Sequence, residues 1–249
     1  NAEGDLNPEV RTQTGYLLAL RNDLLLPERR PAAVAALKQK IIDNGYKLST
    51  GFVGSCILNE VLAEFGENNL AYSLLLQTEN PSWLYSVHQG ATTIWERWNS
   101  YTKATGFGDV GMNSFNHYAY GAVQEWMYRH IAGIETTEQA PGFAHPILQP
   151  KPDTRSAEEI PAGQEKITWV RTSFASPVGL IESAWDMTDG FTYTCRVPVA
   201  ATLHLPLIGN AETLVINGVA HKPDEFRLCP IGKGVTIELA PGAYTIEQK

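Results

Sequence analysis

The spacing of apolar residues changes near residues 135–142, and no other feature constrains the fold of this chain as much. Before that point apolar residues return every three or four positions, the period of a helix face; after it they alternate, the period of a strand. Residues 10–25 carry Tyr16, Leu17, Leu20 and Leu24 as a helical stripe. Pro31 sits where a first-turn proline is tolerated, and residues 32–42 continue helically until Asn44-Gly45. Further helices are expected over 54–65, ending at Gly66, and over 70–76, before Asn80-Pro81. A last helix is predicted from a Ser114 cap through Phe115, Tyr118, Ala119, Ala122, Val123, Trp126, Met127 and Ile131 to Gly133.

Beyond the switch, strand-like segments fall at 166–174, 179–187, 191–197, 201–207, 213–216, 225–229, 235–239 and 244–247. The breaks between them hold the turn dipeptides Asp189-Gly190, Asn217-Gly218 and Pro241-Gly242. Helices followed by closely spaced strands predict a multidomain α and β protein whose second part is an antiparallel β-sandwich, with domains over 1–138 and 139–249. Trp169 and Trp185 lie inside strand-like segments and are expected in its core, with exposed sugar-binding platforms as the alternative.

A net charge of −8 without a Lys/Arg cluster argues against a nucleic-acid partner, which requires concentrated positive charge. No apolar run approaches the roughly 20 residues of a bilayer-spanning helix, so no membrane partner is expected. Cys56, Cys195 and Cys229 are too scattered for a disulfide framework or a zinc site and read as small buried residues. Residues 1–6 lack the basic and apolar regions of a signal peptide. No His/Asp/Glu spacing resembles a ligand set, so neither a metal nor a cofactor is expected.

Reactive groups concentrate in the stretch 83–111, where Trp83, Tyr85, Trp95, Trp98, Tyr101 and Phe107 alternate with glycines. Such long aromatic connectors usually carry function. Glu96 stands between Trp95, Arg97 and Trp98. Indole rings disfavour a charged carboxylate and a guanidinium favours it, opposing influences that suit a base working near neutrality. The competing reading makes Glu96 and Arg97 a surface ion pair with the tryptophans in a core. His117 falls in the first turn of the helix expected after Ser114, where the macrodipole favours a neutral imidazole; a core histidine is its alternative. Trp83, Trp95 and Trp98 are candidates for a sugar-stacking wall or for core. Asn113 and Asn116 can hydrogen-bond sugar hydroxyls, although Asn116 equally suits helix capping. His88 reads as structural, and His130, His145, His204 and His221 as ordinary.

Two strings, Gly90-Ala-Thr-Thr-Ile-Trp-Glu-Arg-Trp98 and Met112-Asn-Ser-Phe-Asn-His-Tyr-Ala-Tyr-Gly121, resemble hallmark segments of bacterial α-L-rhamnosidases. Thr50-Gly-Phe-Val-Gly54 and Asn69-Leu-Ala-Tyr-Ser-Leu-Leu-Leu-Gln-Thr78 resemble the same family in the same order. The resemblance implies part of an (α/α)6 toroid followed by a C-terminal β-domain, hydrolysing terminal α-L-rhamnosyl linkages with inversion. It implies Glu96 as general base and His117 as a residue that binds the sugar or orients the water, the partner being a rhamnose-containing glycoside or polysaccharide. The bacterial cytoplasm or periplasm is the implied location.

Inversion requires a second carboxylate as general acid. The family's acid comes from an Asp- and Glu-rich segment with no counterpart in this sequence; Glu3, Asp5 and Glu9 lie too early and lack its aromatic neighbours. A half toroid would also leave apolar surface open to water. The chain is therefore expected to be a fragment, weakly active or inactive alone, whose partner is the N-terminal half of the same protein. A polysaccharide lyase or other toroidal carbohydrate-active enzyme, a non-catalytic carbohydrate-binding module, and a purely structural part are the competing readings.

Overall fold

A computed structural model describes residues 6–230 and 232–249, so Glu3 and Asp5 lie outside the described residues. Two compact units emerge: residues 6–124 with Thr154–Glu165, and Glu125–Asp153 with the described residues of Lys166–Lys249. No helix is long and apolar enough to cross a membrane among the described residues.

The first unit is helical, with α1 (Gln13–Arg21), α2 (Arg30–Asp43), α3 (Phe52–Glu64), α4 (Asn68–Leu75) and α5 (Trp83–His88). The Thr12 hydroxyl starts α1 by accepting the Gly15 amide at 3.0 Å, one of the donors a helix N-terminus leaves unpaired. Pro31 lies in the first turn of α2, as its fixed φ allows. α1 packs on α2 and α3, and α3 on α4, around Leu17, Leu37, Ile41, Leu58, Leu62 and Leu74, all of them buried. α5 begins inside the stretch that looks irregular in sequence, because the Ser82 hydroxyl accepts the Tyr85 amide at 3.1 Å. β1 (Tyr101–Thr102) and β2 (Gly106–Phe107) form a small antiparallel pair. Residues 154–165 belong to this unit through the buried Arg155. Its guanidinium donates to Ser73 Oγ at 3.3 Å, to Gln164 Oε1 at 2.9 Å and to the Glu165 carbonyl at 3.1 Å.

The helix expected from Ser114 onward starts later. A 3-10 turn covers Ala119–Ala122, α6 covers Val123–Trp126, and a π-helical turn covers Met127–Ile131. Residues 114–117 stay out of the helix because their backbone groups serve another segment: the Glu96 amide donates to the Ser114 carbonyl at 2.8 Å and the His117 amide to the Ile94 carbonyl at 2.9 Å. A residue committed to a tertiary partner cannot also close an i to i−4 bond.

The second unit holds two sheets. β3 (Ile134–Glu135), β4 (Ile147–Leu148), β8 (Ala201–Pro206), β11 (Arg227–Leu228) and β12 (Gly234–Leu239) form one, in the order β11-β12-β8-β4-β3. β5 (Trp169–Ser176), β6 (Gly179–Asp186), β7 (Thr192–Val197), β9 (Leu214–Ile216), β10 (Val219–His221) and β13 (Gly242–Gln248) form the other, in the order β10-β9-β13-β7-β6-β5. All pairings are antiparallel except β4 with β8. The β9–β10 hairpin turns at Asn217-Gly218, both at positive φ, the geometry of a two-residue turn that matches strand twist.

Alternation sends Ile181, Ser183 and Trp185 of β6 and Tyr193, Cys195 and Val197 of β7 inward. Trp185 Nε1 donates to the Ile131 carbonyl at 2.8 Å, and Ser183 Oγ to the Ala132 carbonyl at 2.6 Å. These bonds tie residues 131–132 into the sandwich unit. The following Gly133 has φ of 75°, and a Cβ there would stand 2.1 Å from the Gln149 carbonyl carbon, so only glycine fits.

This packing corrects two expectations. Trp185 is buried, but Trp169 is 57% exposed. In β5 the period of two sets Trp169 with Arg171 and Ser173 on the exposed side, while Val170, Thr172 and Phe174 face the other way. Of the cysteines only Cys195 is fully buried, and burial pushes its thiol up to about 12; Cys56 and Cys229 are partly exposed.

Candidate active site

Two of the hallmark-like strings lie side by side. Residues 94–96 and 114–117 pair through the Glu96–Ser114 and His117–Ile94 backbone bonds, and the Thr93 hydroxyl donates to the Phe115 carbonyl. The Glu96 carboxylate closes the arrangement, its Oε2 accepting the Ser114 amide at 2.7 Å. A backbone N–H on an ionised carboxylate is a strong, charge-assisted bond that fixes the side chain. Oε1 receives no protein donor among the described residues and stays available to a water. Glu96 forms no ion pair with Arg97 among the described residues. Neighbouring side chains diverge on this non-helical stretch, so the partner of the carboxylate is the Ser114 amide and not the guanidinium. Arg97 is tied instead to Ser100, whose hydroxyl donates to the Arg97 carbonyl at 3.0 Å.

The tryptophans take different places. Trp95 is 7% exposed and packs edge-on to Phe115 at 5.4 Å and Tyr101 at 6.5 Å. Trp83 is 8% exposed and donates from Nε1 to the Tyr120 carbonyl at 2.8 Å. Trp98 is half-buried, stacked on Tyr120 at 3.7 Å and edge-on to Trp83 at 5.5 Å, and its carbonyl accepts the Ser86 hydroxyl at 2.9 Å. Aromatic contacts of this kind contribute roughly 0.5–1.5 kcal/mol each beyond burial, enough to hold one ring orientation.

His117 lies ahead of the helical turn, so the helix-end argument for its ring falls away. Its ring is instead stacked on Phe52 at 4.4 Å and on the exposed Tyr118 at 5.6 Å. Nδ1 faces the Ala119 amide at 3.4 Å, which favours the tautomer with its proton on Nε2. Asn113 donates from Nδ2 to the Ser100 carbonyl at 2.9 Å, while its Oδ1 is buried with no partner among the described residues. Asn116 is exposed, and its amide donates to Ser114 Oγ at 3.2 Å.

Sequence reasoning passes over Phe52, Tyr120 and the Ser114 amide, although all three stand inside the hallmark-like strings. Burial first, and then Cys56 and Glu96, raise the Tyr120 hydroxyl above its ordinary value, so it remains protonated at neutral pH beside the carboxylate. The Cys56 thiol donates to the Ala119 carbonyl at 3.2 Å, and burial raises its pKa. Among the described residues no group of three or more His, Cys, Asp or Glu side chains is arranged to hold a metal ion.

A family model described as the bacterial alpha-L-rhamnosidase 6 hairpin glycosidase domain matches residues 2–131, and one described as the bacterial alpha-L-rhamnosidase C-terminal domain matches residues 133–219. An alpha-L-rhamnosidase of Formosa agariphila is 46% identical over 216 residues, covering 86% of this chain and 22% of that protein. The crystal structure of Streptomyces avermitilis alpha-L-rhamnosidase complexed with L-rhamnose superposes with a TM-score of 0.79 at 33% identity, covering 96% of this chain and 22% of that one. The alpha-L-rhamnosidase of Aspergillus terreus superposes with a TM-score of 0.74 at 31% identity, covering 94% of this chain and 24% of that one. The chain thus spans about a fifth to a quarter of the length of these relatives. With the two matched domains following one another over residues 2–131 and 133–219, the chain belongs to the bacterial α-L-rhamnosidase family.

Proposed function

We propose that this chain carries the general base of an inverting α-L-rhamnosidase, and that Glu96 is that base. The carrying observation is the half-fixed carboxylate: Ser114 holds Oε2 at 2.7 Å and leaves Oε1 open beside a partly exposed aromatic wall. In the reaction, water attacks the anomeric carbon of a terminal rhamnosyl unit and gives its proton to Glu96. The glycosidic C–O bond breaks at the same time, and the leaving oxygen takes a proton from a general acid about 6.5–9.5 Å from the base. That acid comes from a part of the polypeptide outside these 249 residues, which form one portion of the enzyme. Domains divide at residues 138 and 139 in this reading, the first completing a toroid with the rest of the protein.

Trp98 presents the ring face on which the C–H face of the sugar stacks, with Trp83 edge-on to it, while Trp95 packs on Phe115 and Tyr101 in the same aromatic segment. His117 offers Nε2–H to a sugar hydroxyl or to the attacking water, and Asn113 and Asn116 address further hydroxyls. The substrate is a rhamnose-containing glycoside or polysaccharide.

Two measurements test this. Proton NMR of an aryl α-L-rhamnoside digested by the intact enzyme should reveal β-L-rhamnose before mutarotation; α-L-rhamnose as the first product would exclude the inverting role of Glu96. The 249-residue chain alone should hydrolyse the same substrate about 10²–10⁴-fold more slowly than the intact enzyme, the usual contribution of acid–base assistance. Equal rates would show that the acid lies within these residues.

A further inference from the structure

The exposed face of β5, β6 and β7 departs from what a solvated sheet face normally presents. Two rows cross it in register: Trp169, Asp186 and Thr192 in one, and Arg171, Ala184 and Thr194 in the next. Together they line a hollow of about 440 Å³, which the Asp189-Gly190 turn closes at one end. That volume lies within the roughly 300–1,000 Å³ of small-ligand sites. Ala184, the smallest member, forms the floor, and Trp169 stands at the margin with more than half its surface exposed.

The polar groups of these rows differ from those of the row beside them. There Arg196 and Glu182 pair with each other at 3.0 Å, so their charges are answered within the sheet. In the hollow, the Trp169 indole N–H, the Arg171 guanidinium and the Thr192 and Thr194 hydroxyls make no hydrogen bond or ion pair among the described residues. Asp186 accepts the Thr188 amide at 2.8 Å, and the Thr188 backbone and side chain, with the nearby Arg171 charge, hold its carboxyl below the usual carboxylate range. One aromatic face, two hydroxyls and a forked cation therefore converge on one space with unspent hydrogen-bonding capacity, beside the Asp186 carboxylate that Thr188 holds.

We propose that this hollow, whose lining does not include Glu96, binds one neutral pyranose unit of a glycan. The reasons are chemical. A pyranose pairs an apolar C–H face with a rim of hydroxyls, and it needs an aromatic plane on one side and mixed donors and acceptors on the other. The three strands span two inter-strand spacings, about 10 Å, enough for one ring and its hydroxyls. Arg171 and Asp186 cancel in charge, and Asp189 adds a negative one, so a phosphate or uronate gains nothing here. The hollow thus fits an anchor for the polymer bearing the rhamnosyl unit. It requires nothing of the reaction assigned to Glu96.

Affinity gel electrophoresis of the 249-residue chain through a rhamnose-capped arabinogalactan tests this. The Glu96→Gln chain should be retarded as strongly as the unsubstituted one, while Trp169→Ala should bind at least tenfold more weakly. Ala184→Leu, which fills the floor, should also lose retardation, with far-UV circular dichroism unchanged in both variants. Retardation of Trp169→Ala equal to that of the unsubstituted chain would place glycan binding elsewhere, and absence of retardation in every form would overturn the proposal. In the intact enzyme, Trp169→Ala should leave kcat on a small aryl rhamnoside unchanged.

Discussion

Replacing Glu96 by glutamine in the intact enzyme is expected to lower kcat on an aryl α-L-rhamnoside by about 10²–10⁴-fold, with KM changed only a few-fold. On the transition-state scale that is about 2.7–5.5 kcal/mol. The substitution keeps the shape of the side chain, and a glutamine carbonyl oxygen still accepts the Ser114 amide that now holds Oε2 at 2.7 Å. The pairing of residues 94–96 with 114–117 runs through backbone groups and does not depend on the carboxylate charge. What disappears is the capacity to take a proton from water. A base variant of this kind should regain turnover with added azide, which needs no deprotonation, and should give a rhamnosyl azide of inverted configuration. Unimpaired kcat in Glu96→Gln, or azide rescue with retained configuration, would remove Glu96 from the role.

How much of this site is legible in the sequence depends on the kind of contact involved. Glu96 and His117 are conspicuous because their neighbours along the chain are aromatic. Their partners are not, because each relation joins residues far apart along the chain: Ser114 meets Glu96 from eighteen positions away, and Phe52 meets His117 from the start of α3. Periodicity cannot report that residues 114–117 surrender their backbone groups to residues 94–96, so it starts the helix at Ser114. The same limit explains Arg97, adjacent in sequence and pointing elsewhere in space. In the sandwich, by contrast, strand positions follow almost directly from alternation and turn dipeptides, since a half-buried strand displays its faces in its own sequence. The short β3, β4 and β10 escape because two or three residues carry no period.

Trp169 and Trp185 turn that last lesson into the second large expectation, a loss of stability of about 3–5 kcal/mol for Trp185→Ala and a change within about 0.5 kcal/mol for Trp169→Ala. Trp185 is fully buried in β6, opposite Val170 in the register, and its Nε1 donates to the Ile131 carbonyl at 2.8 Å. Removing the indole leaves a cavity and strands that carbonyl, itself a cost of roughly 1–3 kcal/mol. Small domains hold only about 5–15 kcal/mol in total, so the alanine variant falls near the limit of folding and Trp185→Phe supplies the graded test. Phenylalanine keeps most of the volume, loses the hydrogen bond, and should lower the urea midpoint clearly less than alanine does. Trp169 is the register partner of Asp186 on the exposed face. A slip of one residue between β5 and β6 would bring the two indoles to the same face of the sheet, because side chains alternate with a period of two. Equal urea midpoints for Trp169→Ala and Trp185→Phe would therefore contradict the register itself, and with it the hollow built from Trp169, Arg171 and Asp186.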